Sequence, residues 1–224
     1  MKEETRDDLT ELYTRRELYT LYQGMPVGSI VHFMFMDIDN FKNVNDVYGH
    51  NEGDLLLKAV ALILDSCAPD AHIFRLGGDE FVLLFQGEQT REYLCSVAGN
   101  IIRRITKKEG FSHISAAVSA SIGILYHETV NGILEDVLLK CDIAMYSAKN
   151  HGKGRYVIFN DIAEQVFSEI EMQKRQDTAL ENGEFEIRYM PVISAQTSKL
   201  KLSQIKLYWN MPGGITREQE DFLP

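Results

Sequence analysis

The sequence has few of the residues on which common metal sites and membrane segments depend. Its 224 residues include three cysteines, Cys67, Cys95 and Cys141, with no CxxC spacing among them. A zinc site and a disulfide framework are therefore not expected; buried free thiols in a reducing compartment are. The six histidines are scattered, without an HExxH or His-x-His pair, which argues against a histidine-built metal centre. No apolar run approaches the length that crosses a bilayer, and the N-terminus, charged from Lys2 to Asp8, does not have the form of a signal peptide. The sequence predicts a cytoplasmic chain with no membrane segment. Positive charge is also scarce, with a formal net charge of −10. A phosphate backbone would be repelled, so no nucleic-acid partner is expected, although a metal and a few lysines can reverse the field at one site.

What is present is a regular succession of apolar runs and turns. Arg15 to Tyr22 places Leu18, Leu21 and Tyr22 on one face of a short helix. Ile30 to Met36 suits a strand covered on both faces and ends in Asp37-Ile38-Asp39. A short helix over Asn40 to Val47, a turn at Tyr48-Gly49-His50 and a buried helix over Leu55 to Leu64 follow. Ile73 to Leu76 and Phe81 to Phe85 predict a hairpin. Thr90 to Lys107 fits a helix with Arg103, Arg104, Lys107 and Lys108 near its C-terminal end, where cations suit the dipole. Ser115 to Tyr126 reads as a strand, Leu134 to Met145 as an amphipathic helix and Tyr156 to Phe159 as a last short strand. The order predicts an α+β sandwich: a central, mostly antiparallel five-stranded sheet surrounded by helices over residues 1–160.

Beyond Asn160, Ile162, Val166 and Ile170 keep helical spacing on a charged linker helix, 161–183, that stops at Asn182-Gly183. Phe185 to Tyr189 alternates like a strand, and a polar tail follows. Some forty residues do not readily build a core of their own. Residues 184–224 are the beginning of a second domain or an appendage packed on the first.

The chemistry concentrates at Gly77-Gly78-Asp79-Glu80-Phe81. Two carboxylates on one tight turn are costly unless a cation meets them, and hard divalent ions prefer oxygen ligands. If the strand ending at Asp37 neighbours this hairpin, Asp37, Asp79 and Glu80 converge, and the Ile38 carbonyl adds a ligand for Mg²⁺, or Mn²⁺ in its place. The alternative is a Gly-rich hairpin with independent, solvated acids. At the next helix N-terminus the Phe41 and Lys42 backbone and the Lys42 ammonium suit phosphate, though a lone lysine is as readily solvated. Asn45 and Asp54 have the groups to recognise guanine, or serve as helix caps and turn residues. Lys149, Lys153 and Arg155 around Gly152 and Gly154 make a compact cationic turn, suited to a triphosphate or to stabilising a helix end.

Together these segments resemble the diguanylate cyclase, or GGDEF, family. The match runs through Arg6-Asp7-Asp8-Leu9-Thr10, MDIDNFKNVNDVYGHNEGD (36–54), RLGGDEFVLLF (75–85), VSASIGI (118–124) and CDIAMYSAKNHGKGR (141–155), in order, over about residues 6–159. The resemblance implies a nucleotide-cyclase-like sandwich that condenses two GTP into cyclic di-3′,5′-GMP with release of two pyrophosphates. It implies Asp37, Ile38 and Asp79 as metal ligands, with Glu80 beside the metal, and Asp79 and Glu80 as the catalytic acids. Guanine would fall to Asn45 and Asp54, and phosphates to Phe41, Lys42, Lys149 and Lys153, with Gly77 and Gly78 allowing close approach. One GTP per domain implies a homodimer for catalysis, transient or stable.

The departures are specific. Ala68 and Ala71 stand where product-inhibited members carry Arg-x-x-Asp, so no product-inhibition site is expected. Glu11 replaces a glycine and Thr14 an asparagine of the opening motif, which bears on that turn. Lys153 replaces an arginine, keeping charge but losing the fork, so weaker triphosphate binding is expected. The stretch from Ala179 to Pro191 resembles the opening of an EAL domain, incomplete and degenerate: Met190 breaks its Tyr-Gln-Pro, and Gln204-Ile205-Lys206 replaces Glu-Ala-Leu. The metal-binding carboxylate of that motif is missing, so phosphodiesterase activity is not expected. The rival to a cyclase is a catalytically silent GTP-binding module that regulates an attached EAL-like domain; retention of Asp37, Asp79 and Glu80 favours the enzyme.

Overall fold

The computed structural model describes residues 5–194, 196–211 and 215–221; the remaining residues of the expected 1–160 and 184–224 segments, Lys2 included, and the side chain of Ile170 lie outside the described residues. Residues 1–162 and 163–224 form two compact units.

The first unit is organised around β2, Ile30–Asp39. Val31, Phe33, Met34 and Met36 are completely buried, so both faces of the strand are covered, as its near-continuous apolar run predicts. Antiparallel neighbours flank it: β4, Glu80–Gln86, on one side and β5, Ser119–Thr129, on the other. β3, His72–Gly77, closes the hairpin with β4, and β6, Tyr156–Ile158, runs parallel to β5. The sheet has six strands rather than five, in the order β1-β3-β4-β2-β5-β6. The extra strand is β1, Tyr13–Thr14, which pairs parallel to Phe74–Arg75. Two residues carry no period, so nothing in the sequence marks them as a strand.

The helices lie on both faces of this sheet. Met34, Met36 and Ile38 face a core built with α3, His50–Cys67, and α4, Arg91–Thr106. Burying each such side chain contributes about 1.5–3 kcal/mol. On the other face Phe33 meets Tyr22 of α1, Arg15–Gln23, edge to face at 6.0 Å. There α5, Leu134–Asn150, rests on the backbone of β5: a Cβ at Gly123 would come within 2.0 Å of the Cys141 carbonyl oxygen. Thr90 caps α4 by accepting the Tyr93 N–H at 3.1 Å.

Several boundaries move for local reasons. α2, Phe41–Tyr48, and α3 are separated by Gly49 alone, at φ +88°, so the buried helix starts at His50, five residues before Leu55. β5 begins at Ser119, not Ser115, because the preceding segment is tied elsewhere: Lys108 Nζ donates to the Ile114 and Ser115 carbonyls at 2.8 and 3.0 Å, and the Ala116 N–H to Tyr48 Oη at 3.2 Å. All three cysteines are free, but only Cys141 is buried; burial pushes its thiol far up, while Cys67 and Cys95 are half-buried.

α6, Phe159–Glu181, begins in the first unit and continues into the second, where it ends ahead of Gly183, whose φ of +68° closes the helix as Asn182-Gly183 predicts. The strand expected from Phe185 forms as β7, Phe185–Ile193, and the expected polar tail instead adds β8, Leu200–Met211, and β9, Ile215–Glu218, in a sheet of order β7-β8-β9, antiparallel throughout. Trp209 is its buried centre, packed with Ala179, Phe185, Leu207 and Met211, and its indole N–H donates to Glu184 at 3.0 Å. Among the described residues no helix is long and apolar enough to cross a membrane.

Candidate active site

The C-terminal end of β2 and the β3–β4 turn bring the predicted acids together. Asp37 is the register partner of Glu80 on β4 and of Ser121 on β5. Residues opposed in an antiparallel pair point to the same face, so Asp37 and Glu80 share one. Asp79 occupies the turn, and its carbonyl accepts the Ile38 N–H at 3.3 Å. Gly77 and Gly78, at φ +146° and +53°, adopt a conformation that side chains strongly disfavour. A Cβ at either would meet nothing within 4 Å, so the surface above the turn is open.

The turn is braced from below. Arg75 donates from Nε and Nη2 to the Gly78 carbonyl at 3.1 and 2.9 Å, and from Nη1 to Asp7 at 2.9 Å. Asp7 also accepts from the Thr10 N–H and hydroxyl at 2.9 and 2.6 Å. Burial alone would raise the Asp7 pKa, but Thr10 and Arg75 outweigh it and hold the carboxyl below its ordinary value. The turn that Glu11 bears on is formed: Glu11 takes φ +61°, the conformation suited to glycine, and its N–H donates to Asp7 at 2.8 Å. That conformation costs a residue with a Cβ about 1–2 kcal/mol.

Electrostatically the acids are out of balance. Burial raises the pKa of Asp37 despite an ion pair to Lys149 Nζ at 2.8 Å. Burial raises Asp79 too, and the charge of Asp37 adds to the effect. Two carboxylates half removed from water and repelling each other suit a hard cation between them. Among the described residues no three His, Cys, Asp or Glu side chains are gathered into an ion cage; here the Lys149 ammonium neutralises Asp37. The donor set of Asp37, Asp79 and Glu80 fits a divalent cation by chemistry and charge.

The neighbouring helices supply the other predicted groups. Asn40, at φ +65°, precedes α2 without capping it, so the first amides of the helix, Phe41 and Lys42 among them, have no side-chain acceptor. Lys42 is exposed and Phe41 half-buried against the core. Asn45 and Asp54 do not cap helices: Asn40 and Gly49 hold those positions. Asn45 lies directly on Gly53, where a Cβ would sit 1.9 Å from its Oδ1, so α2 delivers its amide beside the exposed Asp54. Lys153 Nζ reaches Asn40 Oδ1 at 2.9 Å, and Arg155 is exposed. Ala68 and Ala71 close a turn through a backbone bond of 3.1 Å and present only methyl groups.

Sequence reasoning passed over Asp39. Its carboxylate, 1% exposed, accepts from Ser119 Oγ at 2.5 Å, Ser121 Oγ at 2.7 Å and the Gly154 N–H at 3.0 Å. The available signal was the matched i, i+2 pairs, Asp37 and Asp39 on one apolar strand and Ser119 and Ser121 on another.

Comparison with known proteins bears on the family and the fold. Residues 4–155 match the family model described as "Diguanylate cyclase, GGDEF domain". The bifunctional diguanylate cyclase/cyclic di-GMP phosphodiesterase MucR of Pseudomonas aeruginosa is 34% identical over 227 residues, covering 97% of this chain and 33% of that protein. The diguanylate cyclase DgcM of Escherichia coli K12 is 36% identical over 155 residues, covering 66% of this chain and 37% of that protein. The chain thus spans about a third of these curated relatives. Among solved structures, the GGDEF domain of DgcB from Caulobacter crescentus in complex with c-di-GMP superposes with a TM-score of 0.61 at 23% identity, covering 71% of this chain and 98% of that one. That likeness establishes the fold, with six strands in place of the five expected.

Proposed function

The chain belongs to the diguanylate cyclase family defined by the GGDEF domain, and on that premise we propose that it condenses two GTP into cyclic di-3′,5′-GMP, releasing two pyrophosphates. The observation that most supports this reading is the register of Asp37 against Glu80, with Asp79 in the adjoining turn and Lys149 on Asp37. A structural hairpin has no use for three acids at the buried end of a central strand. Asp37, the Ile38 carbonyl and Asp79 would hold Mg²⁺ or Mn²⁺, with Glu80 beside it. Such an ion lowers the pKa of an attacking hydroxyl and spreads the charge that builds on the α-phosphate and leaving pyrophosphate.

The residues of the chain do the rest. Asn45 and Asp54 hold the guanine: the carboxylate accepts from its N1–H and exocyclic amine, and the amide pairs with O6 or N3. The uncapped amides of Phe41 and Lys42, with the Lys42, Lys149 and Lys153 ammonium groups, take the phosphates. The open surface above Gly77 and Gly78 lets the nucleotide lie against the turn. Glu80 takes the proton of the 3′-hydroxyl. One domain binds one GTP, so two copies must face each other antiparallel, each 3′-hydroxyl attacking the other's α-phosphate. Residues 1–160 constitute this domain, 161–183 a linker helix and 184–224 a degenerate EAL-like stretch, with no carboxylate at 204–206. The site of action is the cytoplasm, where GTP is available.

The test is incubation of concentrated protein with GTP and Mg²⁺, followed by anion-exchange separation of the nucleotides. Cyclic di-GMP should appear with a steeper than linear dependence on protein concentration. GTP binding without product would replace the cyclase by a silent regulatory module, and neither binding nor product would leave the motif a structural relic.

A further inference from the structure

The 149–155 turn carries three consecutive residues at positive φ: Gly152 at +109°, Lys153 at +61° and Gly154 at +57°. Glycine tolerates this, but Lys153 bears a Cβ and pays about 1–2 kcal/mol for it. A residue stays in such a conformation only where its surroundings over-determine it, and such places cluster at functional sites.

Here the surroundings are the last residues of β2. Asp39 holds the Gly154 N–H at 3.0 Å, and Asn40 accepts Lys153 Nζ at 2.9 Å while donating Nδ2 to the Ala117 carbonyl at 3.2 Å. Two residues back, Asp37 takes Lys149 at 2.8 Å. Two of the three lysines expected at the phosphates, Lys149 and Lys153, are thus anchored to one strand end, and Asp39 is its buried member. Its three donors are neutral: two hydroxyls of β5 and one backbone amide. A buried carboxylate with fully matched acceptors is rigid, because losing any donor leaves a charge imperfectly solvated.

We infer that Asp39 is a positioning residue for the phosphate end of the site. It touches no nucleotide; it fixes the turn from which Lys149 and Lys153 project and joins that turn to β2 and β5. The inference rests on the cyclase reading and extends it to a residue outside the expected metal, guanine and phosphate sets. It also predicts which substitutions matter. In Asp39→Asn the Ser121 hydroxyl can turn round to accept a hydrogen bond from the amide nitrogen, leaving the Asn oxygen to accept from Ser119 and Gly154. In Asp39→Ala the Gly154 N–H loses its acceptor altogether.

The experiment compares wild type, Asp39→Asn and Asp39→Ala by calorimetric titration with GTP and with GMP in Mg²⁺, alongside hydrogen exchange of the Gly154 amide. The ratio of GTP to GMP affinity reads the grip on the outer phosphates. Asp39→Ala should shrink that ratio about tenfold, leave GMP affinity within about threefold, and abolish protection at Gly154. Asp39→Asn should retain most of all three. An unchanged ratio in Asp39→Ala, or equal losses for both nucleotides, would overturn the inference. If Asp39→Ala does not fold, wild type still decides: a Gly154 amide exchanging at the unprotected rate overturns the clamp, and a protected one supports it. Wild type that binds neither nucleotide would overturn the cyclase reading and this inference together.

Discussion

Arg75 joins Asp7 to the carbonyl of Gly78, linking the opening motif of the chain to the tip of the acidic turn with bonds of 2.9 to 3.1 Å. Asp7 is held below its ordinary pKa. Its stabilising contribution is therefore present above its unfolded value of about 3.9 and is lost as pH falls through the lower folded value. Asp7→Asn should cost about 1 kcal/mol at pH 7, allowing for partial exposure. That is a fall in Tm of roughly 2–4 °C. Calorimetric scans from pH 7 to pH 2 should show the gap to wild type closing only below about pH 4.

Asp37 and Asp79 carry the opposite sign. Both titrate above the ordinary carboxylate value, so their ionisation penalises the folded state. The penalty is absent below about pH 4 and complete once pH exceeds their folded values. Asp37→Asn should raise Tm at pH 7.5 while abolishing turnover. Mg²⁺ at ten times its dissociation constant should stabilise wild type by about 1.4 kcal/mol at pH 7.5. Thermal-shift titrations should find this effect diminished at pH 4.5 and lost in Asp37→Asn.

Glu80 separates chemistry from binding. Glu80→Gln keeps the size of the side chain and removes the base, so turnover should drop by about 10²–10⁴. Calorimetry should find GTP affinity within a few-fold of wild type. Undiminished turnover would remove Glu80 from the mechanism.

Gly53 tests guanine recognition without touching the acids. A Cβ there would sit 1.9 Å from Asn45 Oδ1, and the Asn45 side chain must rotate away. The gain of about 1 kcal/mol in helix propensity offsets part of the strain. Gly53→Ala should therefore change Tm by only a few degrees yet weaken GTP binding about tenfold. Losing equal affinity for ATP would show that the amide does not read the base.

Gly123 is the structural counterpart. Its new Cβ would meet backbone atoms of α5, the Cys141 oxygen at 2.0 Å and the Met145 nitrogen at 2.5 Å, which cannot step aside. Gly123→Ala should cost about 3 kcal/mol or more. For a domain of this size that is a Tm fall of roughly 6–12 °C, measurable by circular dichroism.

Much of this organisation is legible in the sequence, for identifiable reasons. β2 announces itself through a near-continuous apolar run that only a central strand needs, and the acids at its end mark the candidate site. α4 shows its period, its Thr90 cap and its basic last turn. Tyr13–Thr14 is too short to carry a pattern, and its pairing with Phe74–Arg75 is a tertiary event. The second sheet was visible in principle: Ile205, Leu207, Trp209 and Met211 alternate, but intervening lysines and polar residues obscure the run. Asp39 is the instructive omission. A carboxylate in an apolar strand reads as a ligand or a surface acid until its partners are known, and those partners lie some eighty residues on, at Ser119 and Ser121.

The burial of Trp209 has a spectroscopic consequence. It is the sole tryptophan of the chain and belongs to the unit of residues 163–224. Excitation at the red edge of indole absorption therefore reports on that unit alone, while the ten tyrosines, eight of them before residue 163, report mainly on the other. A single denaturant titration followed in both emission channels separates the melting of the two units without a label or a truncation.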